Sequence, residues 1–237
     1  MIVRDLANTD ILKLTKRKSV ALIPVGSIEQ HGPHLPVSTD SDIVSHIAKQ
    51  VSDKNGFLLL PTIQYGVSFE HHPFFNMSVS TQTLQKILVE LCISLSKNGI
   101  NTVIILNGHH GNQNALRKLQ DKVSKIGSKK QHIFVYSYWH FMKREFDHAG
   151  FVETSIMLAI SDKVLMNKAK KGLIPDNLSK KELSQLNKKA NKSFISVTKN
   201  GVWGDPTLAT AKDGKVILRE IITNIAKESQ TCLTGTG

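Results

Sequence analysis

Apolar and polar residues alternate in blocks along this chain, and the block lengths recur. Short apolar runs fall at residues 18–26 ("KSVALIPVG"), 56–66 ("GFLLLPTIQYG"), 101–108 ("NTVIILNG") and 132–139 ("HIFVYSYW"). Runs of that length, bounded by glycine or polar residues, predict buried strands. Longer stretches with helical periodicity stand between them. "STDSDIVSHIAKQVSD" sets Ile43, Ile47 and Val51 on one face behind a Ser/Thr/Asp start. "STQTLQKILVELCISLSKNG" does the same with Leu84, Ile87, Leu88, Leu91, Cys92 and Leu95, and Gly99 is placed to end the helix. "NQNALRKLQDKVSKIG", "FVETSIMLAIS" and "KVILREIITNIAKES" predict further helices.

Strands alternating with helices of about 12–18 residues imply crossover units and a mostly parallel sheet covered on both faces. The expectation is an α/β fold in one domain over residues 1–237, with no internal repeat or linker. Ligands of such sheets bind outside the carboxyl ends of the strands. "GSIEQHGPHLPVSTD" follows the first strand, "NGHHGN" the third and "DHAGFVETS" the fourth. These polar clusters are far apart in sequence, and the topology would bring them together at one sheet edge.

Composition narrows the picture. No apolar run approaches the roughly 18 residues of a membrane span, and "MIVRDLANTDILKL" carries acids where a signal peptide needs apolar residues. A cytoplasmic location is expected. Cys92 and Cys232 are too sparse for a disulfide framework, and Cys92 falls on an apolar helix face. Residues 163–199 hold ten lysines against two acids, most of the net charge of +12. Those lysines lie on polar ground without the interleaved aromatics of a base-stacking surface, so nucleic acid is not the expected partner. A solvated face, or attraction of an anionic substrate, accounts for them.

The chain contains no G-x-G-x-x-G, Walker A, H-E-x-x-H or G-x-S-x-G pattern. What remains is a pool of Glu29, His31, Asp40, His109, His110, His148 and Glu153. Histidine and carboxylate ligation without thiolates suits Zn, Mn or Fe. Two such cations about 3.5–4 Å apart can activate water and polarise a carbonyl. Alternation would point His110 away from His109, toward a supporting or substrate-side role. His34 either lines the pocket or stabilises its turn, and Trp139 either packs in the core or covers the pocket. His71 and His72, ahead of "PFFNMSVST", read as surface residues of a substrate-side loop. His46 and His132 read as structural or exposed, Asp42 as a helix-start acid, and Ser27 as a turn residue.

Taken in order, "PVGSIEQHGPHLPVSTD", "LNGHHGN" and "HAGFVETS" resemble the creatininase family of metal-dependent amidohydrolases. "YSYW" and "GVWGDPTLATAKDGK" extend the resemblance over roughly residues 15–227. It implies a three-layer α/β/α sandwich, a homo-oligomer (usually a hexamer) and a divalent metal site with two ions per subunit. Carried over by position, the metal ligands are Glu29, His31, the bridging Asp40 and His109, with Glu153 also at the metal site. His148 is the implied proton shuttle, which makes His148 and Glu153 the catalytic candidates. Trp139, His34 and His110 are the substrate-side candidates.

Two departures bear on the substrate. Creatinine hydrolases carry an acid two residues after the motif histidine, where this chain has Gly111. Either Glu153 supplies the missing ligand, or the second site is weak or empty. "HFMKREFDHAG" also lacks their second tryptophan. Both differences turn the expectation toward another branch, the archaeal formamidopyrimidine-ribotide deformylases, and a further branch trims a peptide precursor. The expected reaction is metal-dependent hydrolysis of a non-peptide C–N bond in a small molecule, with that deformylation foremost and creatinine hydrolysis the alternative. A non-catalytic metal- or polyanion-binding protein is the alternative of another class.

Overall fold

The computed structural model describes residues 1–15, 19–127, 131–176 and 178–234, without the side chains of residues 233 and 234. Lys18, expected at the start of the first strand, and Asn177, within the lysine-rich segment, lie outside the described residues. The strands are β1 (Val20–Val25), β2 (Leu58–Leu59), β3 (Thr102–Asn107) and β4 (His132–Ser137). They form one sheet in the order β2-β1-β3-β4, with every pairing parallel. The helices are α1 (Asn8–Thr15), α2 (Thr39–Asn55), α3 (Thr81–Lys97), α4 (Gln113–Leu116), α5 (Leu119–Ile126), α6 (Phe151–Ile160), α7 (Lys180–Ala190), α8 (Ile195–Thr198) and α9 (Ala211–Thr234).

Strand alternation explains the three layers. Val20, Leu22, Leu59, Ile104 and Leu106 face one core with Ile43 and Ile47 of α2, Val152 and Ile156 of α6, and Ile217 and Ile221 of α9. The intervening Ala21, Ile23, Val25, Leu58, Val103 and Ile105 face a second core with Leu84, Leu88 and Cys92 of α3 and Val123 of α5. Every residue of β1 is buried, which is why its sequence is apolar without alternation. At about 25 cal/mol per Å² of apolar surface removed from water, these two cores supply most of the driving force for folding.

Several boundaries differ from the sequence expectation. The second strand shrinks from 56–66 to the two residues of β2, because Pro61 has no N–H to continue the ladder. The single helix expected over 112–127 is broken into α4 and α5, with Arg117 extended and Lys118 at φ 57°. Gln85 Nε2 donates to the Ala115 carbonyl at 2.9 Å and takes up an acceptor that the break leaves free. The fourth strand ends at Ser137, and residues 138–141 form a 3-10 turn. The lysine-rich segment contains the exposed helix α7, started by a capping box between Ser179 and Glu182. Gly99 follows the last residues of α3 at φ 83°, the left-handed position expected of it.

Register positions the site. Val25 of β1 pairs with Asn107 of β3, and Asn107 pairs with Ser137 of β4. The three strands therefore end in line, and the chain leaves each of them toward the same edge. Asn112 ties these exits together. Its Nδ2 donates to the Gly26 carbonyl at 3.0 Å and to Asn107 Oδ1 at 3.2 Å, while its Oδ1 accepts from the Val67 N–H at 2.9 Å.

Candidate metal centre

Glu29, His31, Asp40, His109 and Glu153 meet at that edge, each at most 4% exposed. Glu29 and His31 come from the loop after β1. Asp40 lies in the first turn of α2, His109 follows β3, and Glu153 lies in the first turn of α6. Gly26 permits the approach of α2, since a Cβ there would fall 2.6 Å from the Ser41 Cα. Asp147 fixes the start of α6 by accepting from the Val152 N–H at 2.8 Å and the Glu153 N–H at 3.3 Å.

Asp40 sits between two imidazoles: Oδ1 lies 3.2 Å from His31 Nε2, and Oδ2 lies 3.1 Å from His109 Nδ1. Glu153 Oε2 lies 3.6 Å from His31 Nε2, and Glu29 Oε2 lies 3.2 Å from His109 Nε2. His31 Nδ1 donates to the Glu29 carbonyl at 3.1 Å, which turns Nε2 toward the carboxylates. Ser27, more than a turn residue, donates to Glu29 Oε2 at 3.0 Å. The Glu153 carboxylate accepts from the Ala149 N–H at 2.7 Å and from the Tyr138 hydroxyl at 3.3 Å.

The electrostatics follow from enclosure. Burial alone would lower the His31 pKa, but Asp40, Glu153 and Glu29 overcome it and raise it to about 10. Against the same burial, Glu29 and Asp40 raise His109 to about 10. Burial favours the neutral acid at Asp40, yet His31 and His109 hold it well below the usual carboxylate range. Glu153 goes the other way: burial raises it to about 8, against the pull of His31. Burial, followed by the nearby His31, holds His148 well below 6.5. The cluster thus concentrates carboxylates and imidazoles where water cannot screen them.

The donor set fits a divalent cation. Glu29 Oε1 and Asp40 Oδ2 are buried with imidazole nitrogens at 3.1 Å but accept no well-directed hydrogen bond, an expensive condition that a cation would relieve. Potential ligand atoms of Glu29, His31 and Asp40 lie within 4.8 Å of one another, and so do those of His31, His148 and Glu153. The His148 ring is tilted 34° against that of His31 with centroids 4.3 Å apart, and its Nδ1 lies 4.0 Å from Glu29 Oε1.

The expectation of a surface His71 is overturned. His71 is 3% exposed, and its Nε2 lies 3.1 Å from Glu29 Oε1. The signal was available: "FEHHPFF" follows β2, so the strand-end argument applied to the other three clusters covers this one too. His72 is exposed as expected. Gln30, passed over in the sequence, reaches His71 Nδ1 at 2.9 Å and the Gly201 carbonyl at 3.2 Å.

The substrate-side candidates separate. His110 is exposed and lines a cavity of about 430 Å³, together with Glu70, Gly111, Gln113, Arg117 and Lys192. His34 is buried, with Nε2 2.9 Å from Thr154 Oγ1, and burial reinforced by His31 lowers its pKa to about 4. Trp139 is 8% exposed and stacked on Phe146 at 4.7 Å, with its ring 6.2 Å from that of His110. Neither His34 nor Trp139 lines the cavity.

The family model described as "Creatinine amidohydrolase" matches residues 4–228. The chain belongs to the creatininase family. It is 33% identical over 216 residues to a mycofactocin precursor peptide peptidase of Mycolicibacterium smegmatis, covering 87% of this chain and 83% of that protein. It is 32% identical over 221 residues to a 2-amino-5-formylamino-6-ribosylaminopyrimidin-4(3H)-one 5'-monophosphate deformylase of Methanococcus maripaludis, covering 88% and 90%. The crystal structure of creatinine amidohydrolase superposes with a TM-score of 0.79 at 21% identity, covering 96% of this chain and 95% of that one. This creatininase-family chain is a hydrolase with the three-layer sandwich of that structure. Among the described residues, no helix is long and apolar enough to cross a membrane.

Proposed function

We propose that the chain hydrolyses an amide-type C–N bond at a divalent metal centre built from Glu29, His31, Asp40, His109 and Glu153. The observation that carries this is the burial of Glu29 Oε1 and Asp40 Oδ2 beside imidazole nitrogens at 3.1 Å that make no well-directed hydrogen bond to them. Two ions per subunit, Zn, Mn or Fe, fit the division of the cluster. His31 and Glu153 form one half, Glu29 and His109 the other, and Asp40 faces both. Creatininase structures of the same fold are described in Zn-Zn and Mn forms. A bound cation would supply Lewis acidity toward the carbonyl and acidify water at neutral pH.

The protein's own groups do the rest. Asp40 holds the two halves at a fixed spacing from the rigid start of α2. Ser27 and Ala149 orient Glu29 and Glu153 by hydrogen bonds to their carboxylates. His148, whose neutral form burial favours, is the candidate to carry a proton toward the departing nitrogen. His110 lies on the substrate side with the packed Trp139 beside it, and His34 holds Thr154 of α6 from within the protein.

For the substrate, the cavity beside the cluster favours a molecule with an anionic group, since Arg117 and Lys192 line it. That supports deformylation of a formamidopyrimidine ribotide, whose phosphate would meet those cations. Cleavage of a peptide precursor is the second reading, favoured by the 33% identity with the mycobacterial peptidase. Creatinine carries no such anionic group and ranks below both. We also propose a cytoplasmic homo-oligomer. Tyr65, Phe69, Phe75 and Met77, all at least 49% exposed, put an unusual amount of apolar surface on the loop after β2.

The test is metal analysis followed by a substrate panel of formamidopyrimidine ribotide, precursor-like peptides and creatinine. Formate release from the ribotide alone supports the first reading. Peptide cleavage without formate release replaces it with the second, and failure to bind any divalent cation at micromolar concentration refutes the metal centre.

A further inference from the structure

We infer that Glu70, on the loop between β2 and α3, is a direct ligand of the cation held on the Glu29–His109 side of the centre. The inference rests on the metal reading above and extends it to a residue that none of the sequence motifs contains. Three oxygens converge on His109 Nε2: the Val67 carbonyl at 2.9 Å, Glu29 Oε2 at 3.2 Å and Glu70 Oε1 at 3.9 Å. An imidazole N–H can serve only one of them well. The two carboxylates therefore leave an excess of negative oxygen between the buried cluster and the cavity, an oxygen-rich setting that suits a divalent cation.

Glu70 has no other evident task. Its side chain is 16% exposed, and among the described residues no Lys or Arg forms an ion pair with it. No donor from another residue hydrogen-bonds its carboxylate among them either. Its main chain is fixed, however, because the Phe194 N–H donates to the Glu70 carbonyl at 2.8 Å. A carboxylate so placed is anchored but unmatched.

Gly111 leaves room for this arrangement. A Cβ at position 111 would collide with the Val67 carbonyl and would fall 2.5 Å from His109 Nε2 and 2.7 Å from Glu70 Oε1. No side chain of any kind fits there with the loop in this position. The space beside His109 that an acid at 111 would use is filled from the other direction by Glu70. Glycine at 111 and glutamate at 70 are two halves of one arrangement, and the second half of the site need not be weak or empty.

The experiment is cation titration of the metal-stripped full-length protein, reading free Mn²⁺ by electron paramagnetic resonance and bound Zn²⁺ by elemental analysis. Wild type is expected to bind two equivalents. Glu70→Gln, which keeps shape but not charge, is expected to weaken one equivalent by more than roughly 100-fold, the upper end of what outer-shell partners carry, and to leave the other unchanged. Glu70→Asp should recover part of that loss. Circular dichroism and thermal unfolding of the stripped proteins report whether each variant folds. If wild type binds two equivalents and Glu70→Gln binds both with unchanged affinity, Glu70 is not a ligand, while the metal centre stands. If wild type binds none, the metal centre itself falls and this inference falls with it.

Discussion

Asp40→Asn separates the role of Asp40 in the fold from its role in holding cations. The carboxylate is 2% exposed and lies within 3.2 Å of both His31 and His109. Removing one member of a buried ionic cluster costs about 3–5 kcal/mol. Here the remaining partners limit the loss, because His31 keeps Glu153 at 3.6 Å and His109 keeps Glu29 at 3.2 Å. Each imidazole can also release its proton. That release is easier in the variant, because Asp40 is among the main groups that raise both imidazoles. The metal-free variant should therefore unfold about 3 kcal/mol more easily than wild type. The decisive measurement is the response to metal. At a free concentration one hundred times the dissociation constant, a bound cation adds about 2.7 kcal/mol. In a chain of this size that is about 5–10 °C in melting temperature. Wild type should show this shift in scanning calorimetry and Asp40→Asn should not, whatever its starting stability. A full metal-induced shift in Asp40→Asn, with wild-type stoichiometry, would refute the bridging placement.

Three further outcomes follow from the packing. Gly26→Ala forces a methyl group against Ser41 and should cost about 1–3 kcal/mol while loosening cation binding through displacement of α2, measured by urea unfolding and metal titration. His34, with a pKa lowered to about 4 by burial and His31, stays neutral in the fold while its unfolded counterpart protonates below about 6.5. Its stabilising contribution is complete above that value and declines by up to about 3 kcal/mol as pH falls to 4; the stability difference between wild type and His34→Asn should shrink across that window, and a flat difference would count against it. Cys92, fully buried with a thiol pushed up to about 12, and Cys232, 2% exposed and also raised, should resist alkylation at pH 8 until the protein is unfolded, as followed by mass spectrometry.

Local pattern determined much of this protein. The apolar runs at β1, β3 and β4 and the stripes on α2 and α3 follow from the periods of strand and helix, so the sheet, its two covered faces and the sharing of one edge by three polar clusters were legible residue by residue. Glu29, His31, Asp40, His109 and Glu153 could be named because each follows a strand in a recognisable motif. Tertiary structure alone decided what depends on distant chain segments meeting. Gln85 of α3 shapes the break between α4 and α5, and Asn112 clamps the loop after β2 onto the exits of β1 and β3. That clamp brings His71 to Glu29 and Glu70 to His109, contacts between residues 42 and 39 positions apart that no local periodicity encodes. A sequence period reports which face of an element is apolar; which loop closes over the centre depends on long-range hydrogen bonds that form only after the sheet has assembled.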